Sequence, residues 1–176
     1  MTDADTAARL ATGLLLIGGT AVIAAAWGFQ LVGGYVPCKL CLEQRIPYYI
    51  GLPAALAGLV FLTRGRSGLA AGALLAVAAV FAYGAGLGGY QAGAEWGFWA
   101  GPSDCGGGAE GPASAANMLS ALQSTRVVSC TEASWRLFGL SFAGWNAVAS
   151  AGLAVLALSA AVFGRRAGRD LRTQST

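Results

Sequence analysis

Charged residues are spaced along the chain so that four long uncharged stretches lie between them. Twenty-nine uncharged residues separate Arg9 from Lys39, 18 separate Arg45 from Arg64, 28 separate Arg66 from Glu95 and 28 separate Arg136 from Arg165. Each stretch is mostly apolar, and a helix crosses a bilayer with roughly 20 such residues. The pattern predicts four membrane-spanning helices, over about 10–31, 46–63, 69–92 and 143–163. The second is the shortest and holds Pro47 and Pro53. Pro47 suits a first helical turn, where no donor is lost. Pro53 predicts a kink unless the helix starts just before it. Two loops, about 33–45 and 95–142, then face one side. The longer is rich in Gly, Pro and Ser from Gly101 to Gly108, which predicts irregular backbone. Within it Ala115, Met118, Leu119 and Leu122 recur at helical spacing. A helix on the membrane surface and an ordinary loop helix fit that spacing equally. There is no internal repeat and no soluble domain. The expected fold class is all-α, a four-helix transmembrane bundle forming one integral membrane domain.

Charge then sets an orientation. The two termini and the Thr63–Ser67 turn share one side and carry Arg9, Arg64, Arg66, Arg165, Arg166, Arg169 and Arg172, seven of the 11 basic residues. Lys39, Arg45, Arg126 and Arg136 lie on the other. Basic residues gather in cytoplasmic loops, so both termini are expected in the cytoplasm and both loops outside. Ala24-Ala25-Ala26 resembles a signal-peptide cleavage site, but the apolar run is longer than the usual ~7–15 residues, and Asp3 and Asp5 precede it. An uncleaved first helix is expected. Trp96, Trp99, Trp135 and Trp145 flank the outer ends of the third and fourth spans, as rings with one apolar and one hydrogen-bonding edge do.

Composition agrees. The chain of 176 residues is 56% hydrophobic and 11% charged, against about 25% charged in a soluble domain. The net charge of +3 and the scattered arginines give no basic face for nucleic acid. The absence of histidine removes the commonest general base and metal ligand, and any bis-histidine haem site.

The four cysteines fall into two pairs, one in each outer loop. Cys38 and Cys41 form a C-x-x-C just before the second span; Cys105 and Cys130 lie in the long loop. Two dithiols on one side of a membrane can pass electrons by thiol–disulfide exchange. The C-x-x-C spacing brings two sulfurs within bridging distance. With Cys41 near a helix N-terminus and Arg45 nearby, its thiolate is favoured; Cys41 becomes the reactive member and Cys38 its resolving partner. A zinc site fits poorly, because 24 residues separate the second pair, and no metal is expected. A structural C-x-x-C disulfide closes almost no loop and stabilises little. For Cys105–Cys130 both roles stay open. Closing its 26-residue loop would stabilise by roughly 3.5 kcal/mol as a staple, whereas the glycines around Cys105 leave the bond exposed, as labile disulfides are.

Arg45 has two readings as well. It can anchor in headgroups. Four residues after Cys41, on one helix face, its guanidinium can also hydrogen-bond a carbonyl oxygen of a membrane-soluble acceptor and stabilise charge developing there. No Rossmann or P-loop glycine pattern sits between a strand and a helix, and no haem or iron–sulfur ligand set is present. A lipid-soluble quinone needs none of these. Two thiols release two protons as they oxidise and a quinone takes up two, so the balance requires no histidine.

Three motifs carry a family resemblance. Pro37-Cys38-Lys39-Leu40-Cys41-Leu42-Glu43-Gln44-Arg45, Trp99-x-Gly101-Pro102-x-x-x-Cys105, and Cys130-x-x-x-x-Trp135-x-x-Phe138-Gly139-Leu140 followed by Trp145 resemble the disulfide bond formation protein B family, DsbB, of bacterial inner membranes. The resemblance covers nearly the whole chain. It implies a four-helix membrane bundle that reoxidises a periplasmic thioredoxin-like oxidase, DsbA, at the expense of ubiquinone or menaquinone. By position, Cys105 would form the mixed disulfide with that partner and Cys130 would be its mate. Cys38–Cys41 would reoxidise that pair, with Cys41 meeting the quinone and Arg45 binding it. Some relatives carry histidine where this chain has Gln91. The partner couple is strongly oxidising, about −120 mV, so a quinone sink is needed to pull electrons forward.

Other classes compete. A vitamin K epoxide reductase-like protein also has four helices, four cysteines and a quinone, but its C-x-x-C follows the loop pair, whereas here it comes first. A non-catalytic membrane subunit would use its disulfides structurally. A channel or transporter is disfavoured because the spans lack the buried ionisable residues of such pathways.

Overall fold

The computed structural model describes residues 3–101, 126–127 and 132–173. Cys105, Cys130 and the helical spacing at 115–122 lie outside the described residues. Among the described residues, five helices run in the order α1 (Asp3–Leu31), α2 (Lys39–Glu43), α3 (Ile46–Thr63), α4 (Ser67–Glu95) and α5 (Phe142–Thr173). Four two-residue strands accompany them: β1 (Tyr35–Val36), β2 (Arg126–Val127), β3 (Arg136–Leu137) and β4 (Leu140–Ser141). Four stretches are long and apolar enough to cross a membrane: α1, α2 with α3, α4, and α5 as far as Arg169. The chain is a membrane helical bundle, as its charge spacing predicts.

The long helices form a closed ring in which α1 packs on α3, α3 on α4, α4 on α5 and α5 back on α1. Leu10, Leu14, Ile17, Ile50, Leu56, Val155 and Leu158 all face outward, as lipid-facing positions should. The interior is built largely from small residues. At the end that holds both termini, Ala8, Ala11, Leu62, Ala70, Leu74, Ala160 and Ala161 meet. The middle layer joins Leu15, Tyr48, Ala55, Val77, Phe81, Leu153 and Ala157. At the opposite end lie Cys38 and Leu40, with Cys41 and Leu87 against them. Without a hydrophobic drive between helices in lipid, small side chains that let backbones approach supply the packing.

Gly88 is the closest such approach. A β-carbon there would sit 2.9 Å from the Ala143 carbonyl oxygen and 2.9 Å from the Ala147 nitrogen, both backbone atoms of α5. Backbone cannot rotate aside, so Gly88→Ala must push α4 and α5 apart. The expected cost is about 1–3 kcal/mol, read as a lower thermal midpoint of the detergent-solubilised protein; an unchanged midpoint would show that this contact does not hold the pair.

α3 continues through Pro53 without a break, and Pro47 occupies its first turn. The chain interrupts before Pro47 instead. Proline at 47 has no N–H for the Glu43 carbonyl, and its ring crowds that carbonyl. α2 therefore closes at Gln44, and α3 begins anew at Ile46.

Two small ladders shape the end that holds Cys38 and Cys41. β1 pairs with β2 in parallel, Tyr35 opposite Arg126 and Val36 opposite Val127. β3 and β4 form an antiparallel hairpin, turned by Phe138 and Gly139 at φ 51° and 82°. A two-residue hairpin turn of the primed type needs positive φ at both positions. The hairpin is tied to α5 by the Trp145 indole, whose Nε1 donates to the Leu137 carbonyl at 3.1 Å.

Candidate functional site: a dithiol facing an apolar cavity

Cys38 caps α2. Its backbone is extended (φ −73°, ψ 170°), and its sulfur accepts the Cys41 N–H at 3.2 Å. Both cysteines are free thiols. Cys38 is fully buried, whereas Cys41 is half-buried and opens onto a cavity of about 400 Å³. The hydrogen bond with the Cys41 side chain and then burial push the Cys38 thiol well above its ordinary range, against the Cys41 N–H that caps it.

The cavity lies between α1, the α2–α3 junction and the outer end of α5. Val22, Ile23, Ala26 and Phe29 of α1 face Phe142, Ala143 and Ala149 of α5 across it. Its outer wall is aromatic. Phe29 and Phe142 meet edge to face with centroids 4.9 Å apart, and Trp135 stacks on Phe142 at 4.9 Å and 21°. Tyr35 closes on both Phe29 and Phe142 at 6.2 and 5.6 Å. Such a wall sets an apolar space beside the sulfur.

Polar groups reach this space from three directions. Arg45 is nearly buried. Its Nη1 donates to Gln30 Oε1 at 2.6 Å and its Nη2 to the Ala26 carbonyl at 3.4 Å, both on α1. The guanidinium carbon lies 5.2 Å from the centroid of the Trp27 ring, and the Trp27 indole donates to the Tyr49 hydroxyl at 3.0 Å. Arg45 thus clamps α1 to the head of α3 as well as lining the cavity. The sequence expectation that Cys41 and Arg45 share one helical face meets the break before Pro47. They stand on successive helices and converge on one cavity instead.

On the other flank, Gln91 of α4 is buried. Its Nε2 lies 3.8 Å from the Cys38 sulfur, 3.7 Å from the Cys41 sulfur and 3.4 Å from Glu95 Oε1. Gln44 Nε2 donates to Gln91 Oε1 at 2.6 Å, and Asn146 Nδ2 of α5 donates to Gln44 Oε1 at 2.7 Å. The Tyr48 hydroxyl completes the row, 2.8 Å from Asn146 Oδ1 and 3.1 Å from Ser150 Oγ. Among the described residues no buried side-chain polar atom lacks a partner.

The family model for disulfide bond formation protein DsbB matches residues 8–160. The chain belongs to the DsbB family. That match takes in all four cysteines, the second and third spans and most of the first and fourth, and with it come membrane disulfide-bond formation and an oxidoreductase role. No curated protein and no solved structure matches the chain. Of the positions that the sequence singles out in this DsbB-family chain, the structure brings Cys38, Cys41, Arg45 and Gln91 to one place. Cys105 and Cys130 fall outside the described residues. The segment that leads into Cys130 is nonetheless laid beside the one that leads into Cys38, because β2 runs parallel to β1. Val127 is three residues before Cys130, a reach of about 10 Å.

Sequence reasoning passed over Trp27, Gln30, Gln44, Tyr48 and Asn146. The signal was there in the amides. Gln30, Gln91 and Asn146 each stand within or at the end of an apolar span, where a polar side chain is costly and needs a partner.

Proposed function

We propose that this chain is a quinone-dependent thiol oxidase of the bacterial inner membrane, with its cysteines on the periplasmic side. It would reoxidise a thioredoxin-like oxidase of the DsbA type. The observation that carries the reading is Cys41 opening onto an apolar cavity that Arg45 also lines, with Cys38 enclosed behind it.

Cys105–Cys130, as the disulfide, accepts two electrons from the partner's dithiol. One partner thiolate attacks Cys105, releasing Cys130, and the second partner thiol displaces Cys105. The reduced Cys105 and Cys130 then reduce the Cys38–Cys41 disulfide by the same exchange. The parallel β1–β2 ladder supports this step, since it sets Val36 beside Val127, two residues before Cys38 and three before Cys130 in the sequence. The Cys38 thiol, held in its protonated form, suits the resolving role, and Cys41 suits the role that faces the acceptor.

The residues around the cavity fit a quinone, ubiquinone or menaquinone. Apolar walls suit the ring and the start of an isoprenoid tail. The guanidinium of Arg45 has five N–H groups, of which the bonds to Gln30 and Ala26 use two, so donors remain for a ring carbonyl. When bound, the quinone supplies the sink for two electrons and two protons. The chain's part is to hold it beside Cys41, to exclude water with the Phe29, Trp135 and Phe142 rings, and to release two thiol protons as the Cys38–Cys41 bond forms. The deciding assay mixes purified protein, a reduced thioredoxin-like oxidase and a short-chain quinone, and follows quinone absorbance. Stoichiometric loss of the quinone signal with partner oxidation is expected; none at all would sink the reading.

A further inference from the structure

We propose that Tyr48, Asn146, Gln44 and Gln91 form a one-way hydrogen-bond chain that holds the Gln91 amide nitrogen towards both sulfurs, making Gln44 and Asn146 positioning residues of the dithiol. The proposal deepens the oxidase reading above and rests on it for its purpose, though not for its test.

The Tyr48 hydroxyl, both donor and acceptor, permits either direction; the Glu95 carboxylate, an acceptor only, takes an N–H of Gln91 and selects this one. The Tyr48 hydroxyl has one hydrogen, which goes to Asn146 Oδ1, so Ser150 donates to the Tyr48 oxygen. With its oxygen taken, Asn146 turns its NH2 to Gln44 Oε1. With its own oxygen taken, Gln44 turns its NH2 to Gln91 Oε1. Gln91 is left with only N–H groups for Cys38, Cys41 and Glu95. Turning one amide alone would set nitrogen against nitrogen or oxygen against oxygen at under 3 Å. The three amides therefore turn together or not at all. Gln44, Tyr48, Gln91 and Ser150 are each 5% exposed or less, and Asn146, half-buried, meets the cavity.

The chemical consequence lies at the sulfur end. An N–H donor favours a thiolate, whereas an amide oxygen in the same place would accept S–H and oppose ionisation. The row thus holds one end of Gln91 towards the sulfurs, through Gln44 and Asn146 on one side and the Glu95 carboxylate on the other. Simple helix glue would explain the bonds, but it does not require the sulfurs to see one end of Gln91 rather than the other.

Asn146→Asp reverses the row. A carboxylate has no N–H for Gln44, so Gln44 turns its NH2 to Asp and its oxygen to Gln91, and Gln91 presents oxygen to the sulfurs. Gln44→Glu does the same one step nearer and stands in if the first variant fails to fold. The readout is the pH profile of alkylation of the reduced pair in a Cys105→Ser, Cys130→Ser background, since alkylation follows thiolate fraction. The other charged groups around the pair stay in place: Glu95 of α4 with Arg136 of β3 beside it, Arg45 on α3, and Lys39 and Glu43 on α2. Among the described residues, the charges of α1 and α5 lie at the opposite end.

The alkylation midpoint should move up by about one pH unit in either variant, a tenfold lower rate at pH values below it. Gln91→Met alone should raise it similarly. In the Gln91→Met background, adding Asn146→Asp should change nothing further. An equal shift in both backgrounds would mean that the new charge acts through space, and would overturn the relay, as would no shift at all. Neither partner nor quinone enters this measurement. A wild-type protein that failed to turn over quinone would overturn the proposed oxidase and leave the relay standing.

Discussion

Replacing Cys41 by serine should bring quinone reduction by the reduced partner down to the rate of the protein-free mixture. Cys41 is the sulfur that opens onto the cavity, and Cys38 is enclosed behind it, so no other described sulfur can deliver electrons there. A serine hydroxyl can form no disulfide, and the two-electron step has no substitute. The loss should be chemical and not a failure to fold. Serine keeps a polar group for Gln91 Nε2 to meet at this half-buried position. Cys38→Ser should be equally inactive and equally folded, because a serine oxygen at that position can still cap α2 by accepting the Cys41 N–H. Turnover and thermal midpoint measured on the same preparations separate the two effects. Retained turnover in either variant would remove the dithiol from the electron path and return the chain to the reading of a subunit with structural disulfides.

What could be read beforehand divides by sequence distance. The four spans were legible because a bilayer demands roughly 20 apolar residues per helix, and charged residues interrupt the chain wherever that demand ends. The C-x-x-C was legible because its two residues are neighbours. The break between α2 and α3 was half legible: Pro47 was recognised as a first-turn residue, yet the consequence for Cys41, a separate five-residue helix ahead of it, was not drawn. The hydrogen-bonded row was not legible. Gln44 and Gln91 lie 47 residues apart, and Gln44 and Asn146 lie 102 apart. Each amide alone reads as one polar residue on an apolar helix, and only the ring of α3, α4 and α5 brings them into line. The partner of Arg45 was hidden in the same way, since Gln30 and Trp27 belong to the first span.

Removing the guanidinium should weaken quinone use far more than it weakens exchange with the protein partner. In Arg45→Ala, the apparent KM for quinone should rise about 10- to 100-fold, the loss of one charge-assisted hydrogen bond of roughly 1.5–3 kcal/mol. The bonds to Gln30 and Ala26 and the contact with Trp27 go as well, so α1 loses its clamp on the head of α3 and the cavity wall loosens. Arg45→Lys separates these contributions. An ammonium keeps the charge but not the planar fork that reaches Gln30 Oε1 and the Ala26 carbonyl together, so it should recover only part of the affinity. The partner half-reaction, read as mixed-disulfide formation at Cys105 without quinone, should proceed normally in both variants, because the proposed reaction puts its chemistry in the long loop and not at the cavity. An unchanged quinone KM in Arg45→Ala would reduce Arg45 to a clamp between helices. The acceptor's handle would then have to be sought among the other polar groups of the cavity, with Gln44 and Asn146 the first to test.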